Sequence, residues 1–328
     1  MTAGGLVGRA SAAAAWLRAH PRGTRVGQTV ILLVTLGLCG WAIADEWSKA
    51  EPRLAAAEPG YLALGVLFVA VYYLVFIVGW IRMLEAWSIH VPYRPALQAE
   101  MVSMLAKYLP GGVWTPAART VALRRSAGVT DTPTVLASIL VEAGLSAISG
   151  VIVFVVSLAW VRGVHAPLPA LLAFAVLLTA LLHPRVFRPL AERLLRPFGA
   201  HRIDPLPYPV TVVLLLFYCA TWLVGGVAVY FMLRSLGSDV GLTMIPFLGG
   251  VSAVGAIVAV LAVFLPSGLG AREASMYGIL VSVNIPAGSA LGLTLLNRLA
   301  ITLVEVALFG AGLVTWRGRS PAPSESDA

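Results

Sequence analysis

The stretch AKYLPGGVWTPAARTVALRRS, residues 106–126, decides the fold. It sets Lys107, Pro110-Gly111-Gly112 and the arginines at 119, 124 and 125 between apolar segments. Proline has no N–H to donate and glycine leaves the backbone unrestrained, so the half-helix read at 96–109 cannot continue past Pro110. Thr115-Pro116 then supplies an N-cap residue followed by proline at the first helical position, a favoured restart. The arginines draw this second piece back toward the side from which the first came. Residues 96–127 read as a re-entrant helical hairpin.

The surroundings explain why such a break matters. Of 328 residues, 59% are hydrophobic and 12% charged, whereas about a quarter of a soluble domain is charged. A soluble fold of this composition would turn large apolar patches to water. The chain therefore reads as an all-α polytopic membrane protein. Apolar runs at 28–45, 61–81, 134–160, 167–183, 209–233 and 286–316 suit a hydrocarbon core of about 30 Å, or about 20 helical residues. The run 243–265 is also long enough, while 96–109, 115–127 and 269–284 are too short or too charged to cross alone.

Residues 261–273, LAVFLPSGLGARE, repeat the device, Leu265-Pro266-Ser267-Gly268 answering Leu109-Pro110-Gly111-Gly112. If 243–284 is a second hairpin it enters from the opposite side, giving six full spans plus two re-entrant hairpins arranged as an inverted repeat. If 243–265 crosses and 269–284 returns, there are eight spans. Opposed broken helices recur in transporters, because non-helical backbone at membrane depth must be buried in protein or line a wet cavity.

The net charge of +8 is spread over short loops, with no basic helix or aromatic-studded strand, so it orients the chain and does not point to nucleic acid. With the N-terminus in the cytoplasm, 17 of the 23 basic residues fall on that side, and Arg272 and Arg298 lie at membrane depth. The small-residue triplet Ala42-Ile43-Ala44 resembles a cleavage site, but the long basic leader and long apolar run favour a retained anchor. The organisation is a basic cytoplasmic segment 1–25, a transmembrane domain 26–318 and a disordered cytoplasmic tail 319–328, in the inner membrane of a bacterium.

Several charges sit within apolar segments: Glu100, Lys107, Glu142, Arg272, Glu273, Arg298 and Glu305. Each costs about 2.5–3.5 kcal/mol at the bilayer centre, so each needs a partner or water. Glu100 and Lys107 are seven apart, as are Arg298 and Glu305; on a helix each pair shares a face but stands about 10.5 Å apart, too far to pair directly. Each pair is expected to line one side of a polar cavity, or to pin helices together, Arg298 with Glu142 for instance. Lys107, Arg119, Arg272 and Arg298 with a few acids suit an anionic or zwitterionic headgroup.

No catalytic set competes. The five histidines have no metal-binding spacing, and GGLVGRA at 4–10 lacks the strand and lysine of a phosphate-binding loop. Cys39 and Cys219 lie in apolar runs and read as packing residues. No metal or cofactor is expected.

KYLPGG at 107–112 with downstream Arg119, and LPSGLGAREA at 265–274, resemble the paired signatures of the lysylphosphatidylglycerol synthase transmembrane-region family, the flippase-like membrane half of multiple peptide resistance factors. The similarity covers about residues 25–318. It implies movement of a phospholipid between leaflets, with Lys107, Pro110, Gly111, Gly112, Pro266, Gly268, Gly270, Arg272 and Glu273 at the motif positions. Ser267 stands where the family usually has glycine. This chain resembles only the membrane half, so it is not expected to aminoacylate lipid, and stand-alone relatives extend the candidate cargo to polyprenyl-linked lipids. Arg119, Glu142, Arg298 and Glu305 complete the expected substrate site. The other readings are a non-transporting lipid-binding partner of an envelope biosynthetic enzyme, and a lipid-modifying transferase with Glu142 or Glu273 as base. Assembly as a homo-oligomer is left open.

Overall fold

A computed structural model of the chain describes residues 55, 57–108, 114–199, 203–262, 268 and 270–317. The expected first span at 28–45, Cys39, and both Pro-Gly turns with Pro110, Gly111, Gly112 and Pro266 lie outside the described residues. All regular structure among the described residues is helical. In chain order the helices are α1 Pro59–Ala86, α2 Tyr93–Ser103 prolonged by a 3-10 turn Met104–Tyr108, α3 Trp114–Ala127, α4 Thr132–Ser157 and α5 Leu168–Leu182. They continue as α6 Pro184–Leu195, α7 Tyr208–Ser235, α8 Ile245–Leu261, α9 Ala271–Ser282 and α10 Ala287–Arg317.

Proline opens most of these helices. Pro59, Pro133, Pro169, Pro184, Pro209 and Pro246 all occupy a first turn, where the missing N–H would have had no intrahelical acceptor. At the other end, Ser88 and Asn284 take positive φ, so that Ile89 and Ile285 donate back to the carbonyls of Leu84 and Leu280.

Five helical segments are long and apolar enough to cross a membrane: Pro59–Ala86, Thr132–Ser157, Tyr208–Ser235, Leu242–Leu261 and Ala287–Val314. The run expected to span at 167–183 departs from expectation. Its helix α5 has 15 residues, about 22 Å at 1.5 Å each, and there the chain turns through 76° into α6 instead of continuing straight. The cause is local: His183-Pro184 forces extended backbone at His183, which ends one helix and caps the next.

α1 and α7 pack antiparallel, with Glu58 N donating to Ser235 O at 2.8 Å and Phe76 against Tyr218 at 5.0 Å between ring centres. α7 and α8 approach still more closely. A Cβ on Gly226 would lie 2.2 Å from Ile245 O and one on Gly249 2.3 Å from Trp222 O, so only glycine allows this crossing.

Both expected hairpins are present in their arms. Ser126 Oγ donates to Pro95 O at 3.2 Å, which brings the end of α3 back to the start of α2, beside Trp80, Leu84 and Val135 at one end of the bundle. The arms of the second hairpin open at the other end. Trp160 Nε1 donates to Thr243 O at 3.0 Å, and His165 N donates to Ser282 Oγ at 3.0 Å. The loop after α4 thus holds both the entry to α8 and the exit of α9. Since α4 runs from the first open end to the second, the hairpins are inserted from opposite sides. α8 is long enough to cross, but the chain doubles back along it, Arg272 and Met276 packing over Gly255.

Candidate functional site

The inner ends of both hairpins converge on α10. From the first hairpin, Lys107 forms an ion pair with Glu305, and Tyr108 donates to Thr302 Oγ1 at 3.0 Å. From the second, Glu273 stands 3.7 Å from Arg298. Arg298 and Glu305 share one face of α10 two turns apart, so a single helix receives the two tips at two depths. Tyr108 links the levels: its ring lies 5.8 Å from the Arg298 guanidinium and its hydroxyl 3.5 Å from Glu305 Oε2. Tyr73 of α1 donates to the same Glu305 Oε1 that Lys107 meets.

A second buried group lies inside the first hairpin. Arg119 of α3 pairs with Glu100 of α2 and with Glu142 of α4, and its guanidinium sits 4.8 Å above the Trp80 ring. Tyr218 hydroxyl donates to Glu142 at 3.3 Å. One arginine thus faces two carboxylates, so charge of both signs is brought together at a depth where an isolated charge is costly.

In the second hairpin Gly268 and Gly270 both take positive φ, at 67° and 80°. A Cβ on Gly268 would lie 2.3 Å from that of Ala259, so the return of the chain against α8 needs glycine for space as well as for backbone. Gly270 opens α9, and its N–H donates to Glu273 Oε2 at 2.8 Å. That bond caps the helix and aims the other carboxylate oxygen toward Arg298.

Arg272 differs from the other deep cations. Lys107, Arg119 and Arg298 each have a carboxylate, whereas among the described residues the Arg272 guanidinium has no ion-pair or hydrogen-bond partner, and its Nε is buried unsatisfied. It lines a cavity of about 210 Å³ together with Glu100, Tyr72, Tyr73, Trp222, Ser252 and Asn297. Ser252 Oγ is likewise buried with no hydrogen-bond partner among the described residues. The volume equals about seven waters at about 30 Å³ each, enough for a small polar headgroup and too little for acyl chains. A larger groove of about 590 Å³ between α1 and α7 is apolar except for the exposed Arg82–Glu85 pair at its rim, and has the character of a lipid-facing surface.

Two expectations need correction. Arg298 does not pin Glu142; it meets Glu273, and Arg119 takes Glu142. Glu100 and Lys107 do not line one face of a continuous helix, because the 3-10 turn Met104–Tyr108 rotates Lys107 onto α10 and leaves Glu100 in the cavity with Arg272. Tyr72, Tyr73, Tyr108, Tyr218, Trp222 and Ser252 were not marked in the sequence, since hydroxyls and indoles are common in membrane helices and only their convergence sets these apart.

An all-helical membrane protein with two opposed hairpins closing on one charged helix is thus defined, with no cluster of three metal-ligating side chains among the described residues. Residues 28–309 match the lysylphosphatidylglycerol synthase TM region, and the chain belongs to that family. The family points to a membrane lipid-related function. A comparison with curated proteins gives no match.

Proposed function

We propose that this chain translocates a phospholipid or polyprenyl-linked lipid across the bacterial inner membrane with its termini in the cytoplasm, taking an anionic or zwitterionic headgroup into the cavity between the hairpins. The observation that carries this reading is Arg272: a half-buried guanidinium with no ion-pair or hydrogen-bond partner among the described residues, lining a largely apolar cavity that Glu100 closes on another wall. A lipid phosphate fits the arginine, which donates in a bidentate fork. The Tyr72 and Trp222 rings line another wall and suit an ammonium, beside Glu100, which is itself paired with Arg119. The acyl chains stay in lipid.

Movement follows from the seam. Lys107–Glu305 and Glu273–Arg298 each join a hairpin tip to α10, so breaking one pair while keeping the other opens the cavity toward one side only. A transferase reading is less well supported. Glu142 is held by Arg119 and Tyr218, and Glu273 by Gly270 N–H and Arg298, so neither carboxylate is placed as a free base.

The test is headgroup flipping by purified protein in proteoliposomes made with cellular lipid extract. Acceleration over protein-free vesicles is expected, and Arg272→Gln should lower it about 10-fold or more, the worth of a charge-assisted hydrogen bond. No acceleration with any lipid class sinks the reading, leaving a lipid-binding partner of an envelope enzyme as the alternative.

A further inference from the structure

The helix α6 is amphipathic in a way that the bundle only half uses. Phe187, Ala191 and Leu195 follow one another at four-residue intervals and are buried against α4 and α7, at 9%, 6% and 4% exposure. Val186, Leu190 and Leu194 form a parallel row one residue earlier and stand exposed at 41%, 44% and 56%. At 100° per residue the two rows make one continuous apolar arc, of which the protein covers half.

The opposite face is basic. Arg188 is engaged by Asp204 and Glu192, but Arg185 and Arg193, with Arg196 just past the end of the helix, are exposed and form no ion pair among the described residues. The axis of α6 lies 76° from that of α5. α5 buries only Leu171 and leaves Leu172, Val176 and Leu177 exposed, as expected for a helix facing acyl chains. A helix leaving it at this angle runs nearly in the membrane plane. In the elbow beneath, a groove of about 150 Å³ walled by Leu140, Gly144, Leu178, Leu181 and Leu194 is wholly apolar.

From this geometry we infer that α6 is an interfacial lipid-binding element: the Val186–Leu190–Leu194 row and the groove take acyl chains, and Arg185, Arg193 and Arg196 hold the phosphates of an anionic leaflet. Charge complementarity selects the occupant. A partner protein on this face would cover the apolar row yet leave three arginines without counter-charge, whereas an anionic leaflet satisfies both faces at once. The site is separate from the central cavity and does not depend on translocation; a chain that moves no lipid still has it.

The test uses the full chain with Cys39 and Cys219 replaced by serine and a fluorophore on Leu190→Cys. It is reconstituted in matched vesicles carrying a doxyl quencher either on phosphatidylglycerol or on phosphatidylcholine. Quenching by both labels is expected, with about 5-fold enrichment of the anionic one around the site, an enrichment removed by R185Q/R193Q/R196Q or by high salt. The same fluorophore on Val176→Cys should be quenched in every variant, which shows that the chain remains inserted. Equal quenching by the two labels overturns the inference, as does absence of quenching at position 190, the result for a face covered by another protein or a second copy.

Discussion

Lys107 and Glu305 meet across 198 residues of chain, the first at the inner end of a hairpin arm and the second in the last long helix. The carboxylate also accepts from Tyr73, so α1, the first hairpin and α10 share one acceptor. Losing either charge leaves the other uncompensated at depth. Lys107→Met and Glu305→Gln should each slow lipid movement severely. Combined, they should do little further harm, and a double-mutant cycle on the flipping rate measures the coupling directly.

Arg119 holds two carboxylates and Glu142 only one cation. Arg119→Met therefore strands more charge than Glu142→Gln. The expected loss is about 3–5 kcal/mol for the arginine and clearly less for the neutral glutamine. Thermal unfolding in detergent gives the order, and equal midpoints would contradict the shared pairing.

Gly268→Ala combines positive φ with a contact on Ala259 that no side-chain rotation relieves. Gly270→Ala meets the same backbone constraint in open space. The first should abolish recovery of monodisperse protein. The second should cost about 1–3 kcal/mol, read from the melting temperature.

The opposed hairpins predict a labelling pattern. In a background without Cys39 and Cys219, single cysteines at Thr243 and Ser282 should react with an impermeant thiol reagent from one side of oriented vesicles, and cysteines at Tyr93 and Ser126 from the other. A chain in which 243–265 crosses fully would place Thr243 and Ser282 on different sides unless 269–284 also crosses, and α9 with 12 residues is too short for that.

The helices long enough to cross were legible because apolar length is a local property: the expected runs 61–81 and 209–233 lie within helices, and 134–160 and 286–316 overrun theirs by three residues and one. The interruptions between Tyr108 and Trp114 and between Leu261 and Ala271 fall where the Pro-Gly motifs were read, and the family resemblance carried by KYLPGG at 107–112 with Arg119 and by LPSGLGAREA at 265–274 agrees with the match over 28–309. The end of α5 was missed because Leu168–Leu182 is apolar throughout and a single His-Pro step turns it.

By itself the sequence determined that the chain lies in a membrane, where its helices break, and which charges are carried to depth, since each follows from neighbours within a few residues. Only tertiary structure decided who partners whom. Glu100, Glu142, Glu273 and Glu305 are alike as residues at depth, and packing alone gives two to Arg119, one to Arg298 and one to Lys107. Among the described residues Arg272 is the deep cation left without a carboxylate, because its neighbour Glu273 on α9 meets Arg298. Ion pairing between distant segments depends on three-dimensional position, which hydropathy and spacing do not encode.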